Sequence, residues 1–203
     1  MKNIHEPTYS FVILTLVLIV IDTLLAWLSI SLFPVILPSV PGSFGVSFPY
    51  FAVAFMILLT LWFGAYGAIA AYAGTLIGSG LISSGALANQ PAVVVYLSVA
   101  GLLQVLIPLI AFRVFEVNVG MENRRDFFHM ILFGVIINNI IGATWGAYTL
   151  SFGHIIQSGD VVGVFSLWLI GNMVITVLIV PVLLWRFTPV IRKSKLFVRN
   201  YWD

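Results

Sequence analysis

No lysine or arginine occurs anywhere between Asn3 and Phe112. A charged side chain at bilayer depth costs roughly 2.5–3.5 kcal/mol on insertion scales, so membrane spans exclude it. A stretch this long, this apolar and this free of cations fits hydrocarbon and does not fit a soluble core. The whole chain is 61% hydrophobic and 8% charged, whereas a soluble domain carries about 25% charge. The expectation is an all-α integral membrane protein. At about 20 apolar residues per helical span, a chain of 203 residues holds about six spans in one polytopic bundle, with no separate soluble domain.

The spans are expected at about 11–33, 48–63, 68–82, 92–112, 126–150 and 161–185, with 186–203 as a basic tail. Pro34, Pro38, Pro41 and Gly42 break the chain after the first span. Gly64-Ala65-Tyr66-Gly67 reads as a tight turn between the second and third, which are short enough to tilt or to sit inside the bundle. The first apolar run is preceded by Lys2, Glu6 and Pro7 and followed by no small-residue cleavage site, so it reads as a retained span and not a signal peptide.

Basic residues cluster at Arg113, Arg124 and Arg125 and again along Arg186, Arg192, Lys193, Lys195 and Arg199. Lysine and arginine accumulate in cytoplasmic loops. Six spans put all of these, and Lys2, on the cytoplasmic side, with both termini inside a cell membrane. The segments 34–47, 83–91 and 151–160 then face outward. Asp126, following Arg124-Arg125, reads as a helix N-cap.

Small residues recur every four positions at Ala70, Gly74 and Gly78, and at Gly134, Gly142 and Gly146 around Asn138. This spacing gives a smooth stripe on which helix backbones approach closely. Polar side chains deep in such spans must face protein or water. Gln104, Asn138, Asn139 and Asn172 are therefore expected to converge inside the bundle. Trp145 lies seven residues after Asn138, on nearly the same face, and Trp168 and Thr176 flank Asn172 by one turn each. Pro108 removes one backbone hydrogen bond near Gln104 and can open its helix locally. Converging amides without strong charge suit a small neutral or zwitterionic ligand.

Asp22 is the one carboxylate at span depth. It is a candidate proton or cation site, or a group recognising a ligand amine. It reads equally as a neutral side chain bonded to Thr23, Ser29 or a neighbouring span, and the absence of a basic partner favours that neutral reading. The candidate ligand-binding set is thus Gln104, Asn138, Asn139, Trp145, Trp168, Asn172 and Asp22.

Several chemistries have no residues to carry them. There is no cysteine, which removes disulfides, thiolate ligands and thiol nucleophiles. His5, His129 and His154 form no H-x-H or H-x-x-x-H pair. Ser83-Ser84-Gly85 lacks a histidine partner and a nucleophile elbow. No metal, cofactor, nucleic-acid partner or enzymatic activity is expected. The basic tail suits anionic lipid or a cytoplasmic partner.

Two families share the pattern. Trp62-Phe63-Gly64-Ala65-Tyr66-Gly67, Phe112-Arg113, Arg124-Arg125-Asp126, Trp168-Leu169-Ile170-Gly171-Asn172 and Ile179-Val180-Pro181 together resemble the MASE1 membrane sensor domain. The resemblance covers most of the chain. It implies ligand sensing in the membrane, possible homodimerisation through the glycine faces, and a signalling partner. Members of that family usually have about eight spans and a cytoplasmic kinase or cyclase domain. A chain that stops eighteen residues after Trp185 would signal through a separate protein. The length, the six spans and the Phe63-Gly64-x-x-Gly67-Ala68 turn are similar to the substrate-binding S component of energy-coupling factor transporters, which bind vitamins or related molecules and work with a separate ATPase module. The alanine-rich docking face of that family's first span is reduced here to Ala26. A small structural subunit of a membrane complex is the remaining reading.

Overall fold

The computed structural model describes residues 9–36, 50–82 and 89–198. Lys2, His5, the loop 37–49, Ser83-Ser84-Gly85, Arg199 and Trp202 lie outside the described residues.

Each apolar segment expected from the sequence is helical. The helices are α1 (Tyr9–Ile36), α2 (Ala52–Phe63), α3 (Ala65–Thr75), α4 (Pro91–Val114), α5 (Arg124–His129), α6 (Asn138–Phe152) and α7 (Val161–Ile191). Two stretches of wider π-helix continue them without a break. Leu76–Leu81 extends α3, and Met130–Ile137 joins α5 to α6 as one rod. Among the described residues there is no strand. Stretches at Tyr9–Ser31, Pro91–Val114, Arg124–Phe152 and Ser158–Ile191 are long and apolar enough to cross a membrane, and Ala52–Phe63 is a shorter apolar helix. The protein is an all-α membrane bundle.

Boundaries differ from expectation in physically readable ways. Pro34 does not end α1, which stays helical to Ile36. The break at Gly64 is real: its φ of 61° and ψ of −134° suit a residue without a side chain, and it separates α2 from α3. α7 runs past Trp185 to Ile191 despite Pro181 and Pro189, so the first six residues assigned to the tail are helical. Asp126 is not the N-cap, which is Asn123. Asp126 is buried in the first turn, where its carboxylate accepts from the Asn118 backbone N–H (3.2 Å) and the Asn123 amide (3.4 Å).

Packing follows side-chain size. α2 is apolar all round and buried on most of its surface, as a helix too short for the bilayer must be when it forms the core. It lies among α1, α3, α4 and α7. α1 packs most heavily on α3. A Cβ at Gly74 would overlap Asp22, and one at Gly78 would overlap the Thr23 carbonyl and sit 2.9 Å from Ala26 Cβ. The opposite face of α1 carries Leu16, Val20 and Leu24, all exposed.

The described lysines and arginines gather toward one end. Arg192 pairs with Glu122 at 3.1 Å and bonds the Asn118 side chain. Trp62 Nε1 donates to Thr188 Oγ1 at 3.0 Å, and the Val198 N–H donates to the Trp62 carbonyl at 3.1 Å. These bonds tie the ends of α2, α4, α5 and α7 together.

Candidate functional site

The amides of α4 and α6 meet at mid-bundle with the Thr176 hydroxyl of α7, one turn from Asn172. Gln104 is 5% exposed, Asn172 3%, and Asn138, Asn139 and Thr176 0%. Gln104 Nε2 donates to Asn139 Oδ1 at 2.8 Å. Asn139 Nδ2 in turn donates to the Val135 carbonyl at 2.8 Å and to Thr176 Oγ1 at 3.4 Å. Thr176 donates to the Asn172 carbonyl at 2.6 Å. One chain of hydrogen bonds therefore links three helices, as hydrocarbon's intolerance of lone amides demands.

Pro108 explains the position of Asn138. In a regular helix the N–H four residues on would occupy the Gln104 carbonyl, and Pro108 has none. Asn138 Nδ2 donates to that released carbonyl at 3.3 Å. α4 stays helical through the proline, so the consequence is a vacated acceptor and not an opened helix.

Gly142 makes room for this cluster, since a Cβ there would overlap the Gln104 side chain. Gly146 does the same for the Trp168 ring. Gly134 differs, because the nearest atoms to a Cβ there belong to Met130 of its own rod. Of the buried carboxamide oxygens, Asn138 Oδ1 and Asn172 Oδ1 keep no partner among the described residues. Buried polar atoms are normally paired, so each of these two acceptors is open to a hydrogen-bond donor.

The two tryptophans part from the amides. Trp168 is half-buried in a satellite core with Ala147, Leu150, Ile156 and Val164. Trp145 is 39% exposed. Its Nε1 donates to the Tyr96 carbonyl at 2.7 Å, and its ring walls an apolar groove of about 680 Å³ with Tyr96, Ile141, Tyr148 and Phe152. Asn138 is not part of that groove. The expectation of amide and indole lining one surface is corrected: an indole satisfied by a single carbonyl can face outward, whereas a carboxamide cannot.

Asp22 belongs to the other half of the bundle. It is 1% exposed, and neither carboxylate oxygen has a hydrogen-bond partner among the described residues. None of the expected bonds to Thr23, Ser29 or a neighbouring span is made among the described residues; Ser29 donates to the Leu25 carbonyl at 2.7 Å and accepts from the Ala52 N–H at 3.3 Å. Tyr50, Thr75 and Ser79 are also buried, at most 8% exposed, and were missed in the sequence. The signal was present as Thr75 and Ser79 four residues apart beside Gly74 and Gly78. Among the described residues no three histidine, aspartate or glutamate side chains cluster as a metal site.

Comparison with protein-family models, curated proteins and solved structures finds no match for this chain.

Proposed function

We propose that this protein is a membrane sensor of the kind the MASE1 resemblance implies. A small neutral or zwitterionic molecule docks at the polar cluster of α4, α6 and α7, and occupancy is passed along α7 to a signalling partner. The observation that carries this reading is the pair of unpartnered oxygens, Asn138 Oδ1 and Asn172 Oδ1, on a network otherwise joined across three helices. The cluster holds no ionisable group, so a ligand with net charge would find no counter-charge there. Continuity of α7 supports the output route. At 31 residues it is about 46 Å long, against a hydrocarbon core of about 30 Å. The same helix carries Asn172 and Thr176 at mid-depth and Thr188 at the charged end, where Arg192 is its C-cap. The positive-inside rule makes that end cytoplasmic, which places the partner beside Arg124, Arg192 and Lys193. The uptake reading asks for a small-residue face on α1 open to a partner. Ala26 is instead buried against Gly78, and the open face is built of leucine and valine.

The test is mass spectrometry of small molecules retained after gentle purification. Asn138→Leu is expected to lower the retained molecule at least about tenfold, equivalent to about 1.4 kcal/mol, while expression stays within about twofold. A copurifying kinase or response protein is expected. Unchanged retention in Asn138→Leu removes the site, and a copurifying ATPase pair replaces sensing by uptake.

A further inference from the structure

One exposed flank of α6 is built as a trough. Ile141, Thr144, Trp145, Tyr148 and Phe152 recur at spacings of three and four residues, which puts them on one helix face. With Tyr96 near the start of α4 they wall the groove of about 680 Å³. Glycine draws the two helices together beside it. A Cβ at Gly142 would overlap Gln104, and one at Gly153 would overlap Val93. The large rings of Tyr96, Tyr148 and Phe152 are exposed and stand as walls. From Ile141 to Gly153 the groove follows α6 for about 18 Å, ending at the end of the bundle away from the arginines.

The wall offers an occupant rings and methyls. Trp145 Nε1 is spent on the Tyr96 carbonyl at 2.7 Å, and Thr144 Oγ1 on the Ile140 carbonyl at 2.7 Å. The volume falls within the roughly 300–1,000 Å³ of ordinary ligand pockets. Beyond Phe152 the chemistry changes. A second cavity of about 670 Å³ is lined by Ser151, His154, Gln157 and Ser158, and Phe152 is a wall of both. Each of those four side chains can donate and accept. Charge decides what they would hold. No lysine or arginine occurs between Asp126 and Trp185, or between Asn3 and Phe112. An anionic head would therefore find no such counter-charge at this end. Asp160 belongs to the same loop but does not line the cavity, so a cationic head finds no lining carboxylate either. The complementary head is uncharged and hydrogen-bonding.

We propose that groove and cavity form one binding site for a single-chain neutral amphiphile of the monoacylglycerol class. The apolar tail lies along α6 beside α4, and the hydroxyl-bearing head sits among Ser151, His154, Gln157 and Ser158. One groove seats one tail, which selects against two-tailed phospholipids. The site is separate from the mid-bundle polar cluster, none of whose residues lines it, and does not rest on the sensor reading.

Full-length protein is reconstituted in phosphatidylcholine vesicles with a monoacylglycerol carrying a photoreactive group within its tail. Irradiation is expected to label the α6 peptide containing Trp145 and Tyr148 saturably, and excess unlabelled monoacylglycerol is expected to suppress that labelling. A monoacyl phosphate of the same chain length is expected to compete at least about tenfold more weakly. Thr144→Trp, which fills the groove, and Gln157→Ala, which removes an amide from the cavity, are each expected to lower the competed labelling severalfold. Should Thr144→Trp fail to fold, Gln157→Ala in its exposed loop carries the test. Labelling that no competitor displaces, or that falls equally on the exposed α1 face at Leu16 and Leu24, means bulk lipid only and overturns the proposal. Equal competition by the phosphate-headed chain, or labelling unchanged in the folded variants, overturns it as well.

Discussion

At the scale of single residues, the mid-bundle amides illustrate how one missing atom reorganises a neighbourhood. Pro108 lacks a hydrogen, the Gln104 carbonyl is left open, and Asn138 on another helix takes it. Asn139 is the joint of the network, accepting from Gln104 and donating to Val135 and Thr176. A double-mutant cycle with Gln104→Leu and Asn139→Leu is expected to give a coupling of about 0.6–1.7 kcal/mol, the range found for interhelical hydrogen bonds in membranes. Unfolding in mixed detergent measures it, and additive effects of the two changes would show that the 2.8 Å bond carries no energy. Gln104, Asn138 and Asn172 were legible because a carboxamide in an apolar helix has to turn inward. The outward turn of Trp145 was not, because an indole is tolerated in lipid or protein alike once its N–H has one acceptor.

At the scale of elements, close approach of backbones is set by glycine, and by its location more than its number. Gly78 faces the Thr23 carbonyl, a main-chain group that cannot rotate aside, whereas Gly163 on α7 has nothing within 4 Å of its would-be Cβ. Gly78→Val is expected to destabilise by about 1–3 kcal/mol as α1 is forced off α3. Gly163→Ala should be neutral or stabilising by up to about 1 kcal/mol. Equal unfolding midpoints for the two would overturn the assigned α1–α3 contact. The helices themselves were readable from apolar runs and from the break at Gly64. The π-helical stretches were not. Leu76–Leu81 and Met130–Ile137 are so evenly apolar or small that no polar stripe marks where the helical period widens. The extension of α7 to Ile191 was hidden by Arg186 and Pro189, which read as a tail. A long arginine side chain can lie along a helix and still reach the headgroups.

At the scale of the whole molecule, the charges sort by end. Arg113, Arg124, Arg125, Arg192 and Lys193 share one end, while α6 turns into α7 through Gly153–Asp160 at the other. The chain has no cysteine, so single-cysteine variants can be labelled without background. Gln157→Cys is expected to react with an impermeant maleimide on intact cells, and Lys193→Cys only after permeabilisation. Labelling of both from the same side would show that α7 does not cross the bilayer. A last consequence follows from the seat of α2. Its Trp62 donates to Thr188, 126 positions later in the chain. At about 5–20 residues per second, that indole emerges about 6–25 s before its acceptor. The central helix is thus made early and sealed late, with the last helix acting as the closing wedge, so a nascent chain stalled before α7 would present an unfinished core to the proteases that police the bilayer.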